Sequence, residues 1–301
     1  MISLPVTEQY DTSIIWDVFY DECKADGYWH CFLFIPQSKI QCIYELISKA
    51  RSVSRFNDAI HYKNIGQSAK LKSNRVVFVR VLMDILLYII QQQKIDAVIE
   101  WNGKREKFSH PIGARLVILR KTTELVNASE SQTLVEATFR MGLKGALHYL
   151  FTQETPVIDN IFVDYSEESF KRCFNEDNMW ESVKTELRNN ITFTSGSSLK
   201  FISKQDYSLD CPTSQIMQFV DVILGSFRTC VMQNTEFHAR YVAAEQIRRV
   251  LLKDYENHAR MKESRYYKGY SLSEARLVNN WMFDPMKIKV DKSQYEIFDL
   301  L

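Results

Sequence analysis

The sequence predicts an α/β fold, a mixed sheet flanked by helices with a helical C-terminal extension. Three observations predict it. Ser13 to Tyr20 and Tyr28 to Ile35 are β-branched and aromatic runs joined by Lys24-Ala25-Asp26-Gly27, which reads as an antiparallel hairpin. Later strand-like runs are separated by helix-length segments, which favours parallel pairing. Only 9 Gly and 6 Pro occur in 301 residues, so elements are long and tight loops few.

The elements follow in order. Pro36 stops the hairpin's second strand. Ser38 to Arg55 is a helix with Ile40, Ile43, Ile47 and Ala50 on one face. Ser54 to Lys72 is polar and irregular, and Asn74 to Gln93 is a strongly apolar helix. Asp96 to Trp101 reads as a buried strand and Gly103 to Ser109 as a basic turn. Two helices are predicted next, Pro111 to Val126 and Ser131 to Phe151, the first with proline near its start. Val157 to Asp164 is a strand, and Ser166 opens a polar helix to about Asn189. Ile191 to Thr194 and Leu199 to Ser203 are short strands. Helices are predicted over Thr213 to Met232, Thr235 to Met261 and Ser271 to Phe283.

Composition excludes several classes. The apolar fraction of 46% and charged fraction of 25% are those of a folded globular chain rather than a disordered or fibrous one. The run Val76 to Ile90 is broken by Arg80 and Asp84, too short and too charged to span a bilayer. The first residues carry neither a basic nor an apolar leader segment, and the six cysteines form no C-x-x-C pair. The expectation is a cytoplasmic protein with reduced thiols and no membrane partner. Walker, dinucleotide, zincin and nucleophile-elbow motifs are absent, and Glu100-Trp101-Asn102 lacks the lysine of a restriction-type site.

Net charge is only +1, yet the charges are segregated. Arg51 to Arg75 and Trp101 to Lys121 each hold six basic residues and one acid, whereas Glu154 to Leu187 holds nine acids and three bases. A basic surface near an acidic centre suits a polyanion. Solvated helix faces of both signs give the same pattern. Arg240 to Lys268, with Tyr266, Tyr267 and Tyr270, reads either as a nucleic-acid arm or as a contact for a protein partner or second copy.

Three acids stand out. Asp21 closes the first strand and Asp164 closes VIDNIFVD. Ligands gather at the carboxyl ends of parallel strands. If these strands are neighbours, two carboxylates about 5 Å apart need a shared proton or a cation such as Mg²⁺ or Mn²⁺. Asp221 lies in the apolar helix SQIMQFVDVILGSF, on a stripe with Ser214, Gln218, Gly225 and Arg228. Gly225 leaves room there for backbone or ligand to approach. Any one of these aspartates alone is ordinarily a turn, cap or surface residue.

The stretches VFYDEC and GYWHCFLFIP resemble the opening of the family catalogued as domain of unknown function 3800, a strand ending in Asp-Glu. SQIMQFVDVILGSF resembles that family's helix Ile-Gln-x-x-Asp-x-x-x-Gly, matched by Met217-Gln218, Asp221 and Gly225. IFVDYSEES fits its acidic strand, and Ile60-His61-Tyr62-Lys63 its histidine motif. Cys23-Lys24 stands where the family has Ser-Gly, and Val220 where it has Ala.

The resemblance implies a ribonuclease-H-like domain over residues 1–232, residues 233–301 being the helical extension. It also implies a metal-dependent nuclease acting on RNA or DNA, in phage defence or a toxin system. Asp21, Asp164 and Asp221 would be the metal-holding acids. In a two-ion site, with ions about 4 Å apart, Asp21 would bridge both. Glu22 would be a fourth acid, although on a regular strand it faces the other way. His61 and Lys63 would meet the phosphate, or His61 would be a plain loop histidine. Gln218 would orient Asp221 or touch the sugar. The alternative is a catalytically inactive subunit that binds nucleic acid or a protein.

Overall fold

A computed structural model describes residues 14–25, 28–66, 73–90, 97–101, 104–108, 112–121, 139–140, 142–147, 150–151, 155–165, 180–181, 183–185, 191–203, 208–232, 239–241, 244–245 and 267–272. Strands β1 (Ile15–Cys23) and β2 (Tyr28–Pro36) form the expected hairpin. Helix α1 (Ile40–Ser54) follows a short 3-10 turn, Gln37–Lys39, and α2 (Asn74–Ile89) follows the irregular segment. A second 3-10 turn, Tyr62–Asn64, lies inside that segment. β3 (Ala97–Trp101) and β4 (Lys104–Phe108) make a separate antiparallel ribbon. The remaining elements are β5 (Arg115–Lys121), β6 (Val157–Tyr165), β7 (Thr192–Ser203), α3 (Pro212–Met232) and β8 (Tyr267–Leu272).

The main sheet is mixed, in the order β7-β6-β1-β2-β5-β8. β1 pairs antiparallel with β2 and parallel with β6, and β6 pairs parallel with β7. β2 with β5 and β5 with β8 are antiparallel. Being central, β1 is covered on both faces. Trp16, Val18 and Tyr20 join one apolar layer with Phe139, Leu143 and Leu147. Phe19 joins the other, with α1, α2 and α3. Across that second face Phe19 stacks on Phe162 of β6, ring centroids 4.8 Å apart. Burying one such ring contributes roughly 2 to 3 kcal/mol.

Four expectations are corrected. Gly103 to Ser109 is largely strand β4 rather than a turn. RLVILRK is strand β5, where a helix from Pro111 to Val126 was predicted. The physical reason is that β5 is buried on both faces, Leu116 and Ile118 in one layer, Val117 and Leu119 in the other. A short continuous apolar run of this kind has no period to separate strand from helix. The two short strands near Gly196 are one strand, β7, whose pairing absorbs the intervening residues as an irregularity. Ser271 and Leu272 belong to β8, so the extension expected to be helical supplies an edge strand.

The predicted helix start at Ser166 and the tail beyond Leu272 lie outside the described residues. Residues 139–140, 142–147, 180–181, 183–185, 239–241 and 244–245 are helical, as expected there. Among the described residues no helix is long and apolar enough to cross a membrane.

Candidate active site

β1 and β6 run parallel as neighbours, with Phe19 opposite Phe162 and Tyr20 opposite Val163. The paired stretch ends there, and Asp21 and Asp164 are the next residue along each of the two strands. Both belong to the face that packs on α1, α2 and α3. Asp21 lies opposite Cys31 and Asp164 opposite Ile202, and both of those residues pack in the helix-side layer. Asp21 is 4% exposed and Asp164 3% exposed. The Asp21 Oδ1 accepts the Glu22 backbone N–H at 2.8 Å.

Cys23 is half-buried two residues beyond Asp21 on the same face. Burial pushes its thiol above the usual range, with Asp21 and Asp221 adding to the rise, while the Ala25 backbone hydrogen bond and Arg228 oppose it. One thiol therefore feels both Asp21 on β1 and Asp221 on α3. Cys31 is pushed well up by burial, and Asp21 adds to that.

Helix α3 carries the predicted stripe, and the 60–62 segment lies on it. Gln218 Oε1 accepts the Ile60 N–H at 2.8 Å, and Asp221 Oδ2 accepts the Tyr62 N–H at 2.6 Å. The Tyr62 ring rests on Gly225, where an added Cβ would fall inside the ring. The Tyr62 hydroxyl and Thr229 Oγ1 share a hydrogen bond. Asp221 also faces His61, Oδ2 to Nδ1 3.7 Å. The polar stripe, with the room left beside Gly225, is thus the seat of the histidine motif.

Other side chains hold that motif from outside. Arg240 donates from Nε to Ile65 O at 2.8 Å and from Nη2 to Lys63 O at 2.9 Å, and lies over the Tyr62 ring. Arg75 donates to Asn64 O at 3.0 Å. Arg51 is buried, donating to Gln215 Oε1 at 2.7 Å, Gln218 Oε1 at 3.0 Å and the carbonyls of Phe56 and Asp58. Burial lowers its guanidinium to about 10. It also lies over Phe78, 4.6 Å to the ring centroid.

The expected site residues separate accordingly. Asp21, Asp164 and Asp221 share one side of the sheet, the first two on adjacent strands. Glu22 points to the opposite face, where its Oε2 accepts from Tyr20 Oη at 3.2 Å, so it does not join them. Gln218, 1% exposed, ties α1 and the 60–62 segment to α3. His61 is partly buried and Lys63 exposed. Two bases counted in the basic segments are internal. Arg51 is one, and Arg115, stacked over Trp16 and Phe151, is the other.

Sequence reasoning did not single out Tyr62, Thr229 or Arg240. Thr229 and Gly225 are spaced i, i+4 on α3, which was the one local signal available. Among the described residues no group of three or more His, Cys, Asp and Glu side chains could hold a metal ion as it stands. The Asp21 and Asp164 pair nevertheless has the chemistry of a hard-cation site, oxygen donors on two neighbouring strands of one face. No family model matches the sequence, and no curated protein matches it.

Proposed function

We propose that this chain is a Mg²⁺- or Mn²⁺-dependent phosphodiesterase of ribonuclease-H-like fold acting on RNA or DNA. The observation that carries the reading is the pair Asp21 and Asp164, both buried, each one residue beyond the last paired residues of adjacent parallel strands. Two such carboxylates repel unless a cation or proton lies between them. The antiparallel hairpin extended by parallel β6 and β7 supports the fold.

Asp21 and Asp164 would hold the ion through carboxylate oxygens. A bound divalent ion supplies Lewis acidity to the phosphodiester and lowers the pKa of a water. The Asp221 carboxylate lies 3.7 Å from His61 Nδ1, close enough to attract a protonated ring, and the His61 ring would exchange a proton with the leaving oxygen. Lys63, exposed on the same turn, meets phosphate as a point charge. Rigid backbone bonding to Gln218, Asp221 and Arg240 keeps both side chains in register.

The test is cleavage of labelled RNA and DNA with Mg²⁺, Mn²⁺ or EDTA. Chelator-sensitive cleavage, lost in both Asp21→Asn and Asp164→Asn, is the expected result. The second reading, an inactive binding subunit, is favoured by one observation: Gln218, Asp221 and Gly225 are all occupied in seating the 60–62 segment. Binding without cleavage, unchanged in both variants, would establish that reading in place of the first.

A further inference from the structure

Asp164 shares a sheet face with Asp21 only because β6 is irregular. Between Trp16 and Val18 the β1 strand advances two residues, while β6 advances three, from Ile158 to Ile161. One extra residue is therefore inserted in β6. Ile158 lies in the layer with Phe139, and so do Ile161 and Val163, an odd step that a regular strand cannot make. Side chains alternate between faces, so a regular strand running on from Ile158 would send residue 164 to the Phe139 side. The bulge reverses that parity and returns Phe162 and Asp164 to the helix side.

A bulge leaves a backbone N–H without its ladder partner. Here that N–H belongs to Asn160, and it is taken by a side chain of the central strand. Asp17 Oδ1 accepts from Asn160 N at 3.1 Å and from Asn160 Nδ2 at 3.0 Å. The inserted Asp159 is tied as well. Its Oδ2 accepts from Gln37 Nε2 at 3.0 Å and Asn160 Nδ2 at 2.7 Å, and its Oδ1 from Thr194. Asp17 and Asn160 are both buried.

We propose that Asp17 is a positioning residue: its carboxylate clamps the Asp159–Asn160 bulge and thereby sets Asp164 on the face of Asp21. The proposal rests on the phosphodiesterase reading only for what the acid pair is used for.

The experiment therefore reads position and metal separately. In the full chain with Cys23→Ser and Cys31→Ala, Asp21→Cys and Asp164→Cys are introduced together and treated with a thiol-bridging bimane. Cross-linking between the two introduced cysteines is expected, and it is expected to fall to the level of chains carrying only one of them when Asp17→Ala is added. It should survive with Asp17→Asn, whose amide oxygen still accepts both hydrogen bonds. Asn160→Ala, which removes half the clamp, should give an intermediate yield and serves where Asp17→Ala does not fold. Undiminished cross-linking in folded Asp17→Ala, or in Asn160→Ala where that variant serves, overturns the proposal. So does failure of the parent pair to cross-link. Mn²⁺ binding to the unaltered chain and to Asp164→Asn is measured in parallel. If Mn²⁺ does not bind while the cross-linking pattern holds, the metal reading fails and the positioning role stands.

Discussion

At the scale of single residues, two opposing effects meet at Gly225. Alanine in a helix interior is favoured over glycine by about 1 kcal/mol. The Tyr62 ring already fills the space a Cβ would need, and overpacking costs typically 1–3 kcal/mol. The ring is held at its hydroxyl by Thr229 and at its backbone by Asp221, so it cannot swing away cheaply. Gly225→Ala is therefore expected to lose up to about 2 kcal/mol in urea unfolding and to displace the histidine motif.

Tyr62 also has a titration signature. Burial pushes its phenol up to about 12, with Asp221 adding and Thr229, Arg240 and Arg228 opposing. A folded value above the ordinary 10 means that this contribution to stability is full below pH 10 and is lost as pH rises through about 12. Ultraviolet titration should show one phenol that ionises only near that upper value, and Tyr62→Phe should remove it.

Asp17 runs against the usual carboxylate pattern. Desolvation raises its pKa, with Asp159 adding, and outweighs the Asn160 hydrogen bonds and Lys200. The raised folded value means that stability from this group is full below pH 3.8 and is lost as pH rises through the folded pKa. Asp17→Asn keeps the acceptor and removes the buried charge. It should raise the melting temperature at pH 7, with the gain shrinking as pH falls into the carboxylate range. A lower melting temperature at pH 7 would show that the charge itself stabilises the bulge.

At the scale of elements, α1 and α3 meet through a buried cation rather than through apolar contact alone. Arg51 satisfies two glutamines and two backbone carbonyls, with Phe78 beneath the guanidinium. Removing the guanidinium leaves buried neutral acceptors without a donor, at about 1–3 kcal/mol. Arg51→Met should show a loss of that order in chemical denaturation. It should also loosen the 60–62 segment, seen as faster amide exchange at Ile60 and Tyr62. α3 itself was legible because Ile216, Val220, Ile223, Leu224 and Phe227 recur at helical spacing, and all five are buried. Its polar stripe was legible as a stripe. That a distant loop would cover it was not, because Gln218 and Ile60 are far apart in the chain and only folding brings them together.

At the scale of the whole molecule, residues beyond 232 are built into the domain. β8 covers the outer edge of β5, and Arg240 fastens the 62–65 turn. Ending the chain after Met232 would bare a strand edge whose inner neighbours are apolar on both faces. The truncated chain is expected to melt at lower temperature and to self-associate in sedimentation velocity. A truncated chain that is monomeric and equally stable would show that the added segment is dispensable.

The sequence alone determined the hairpin, the apolar helices and the identity of the three candidate acids, because these depend on local periodicity and turn chemistry. It also showed that Gly225 lets something approach α3. Only the tertiary structure decided which face each acid occupies. β6 must insert one residue for Asp164 to reach the side of Asp21, and Glu22, adjacent in sequence, is sent to the other side by the regular pleat. β5 likewise became a strand because apolar layers cover both its faces, a burial that no local pattern encodes.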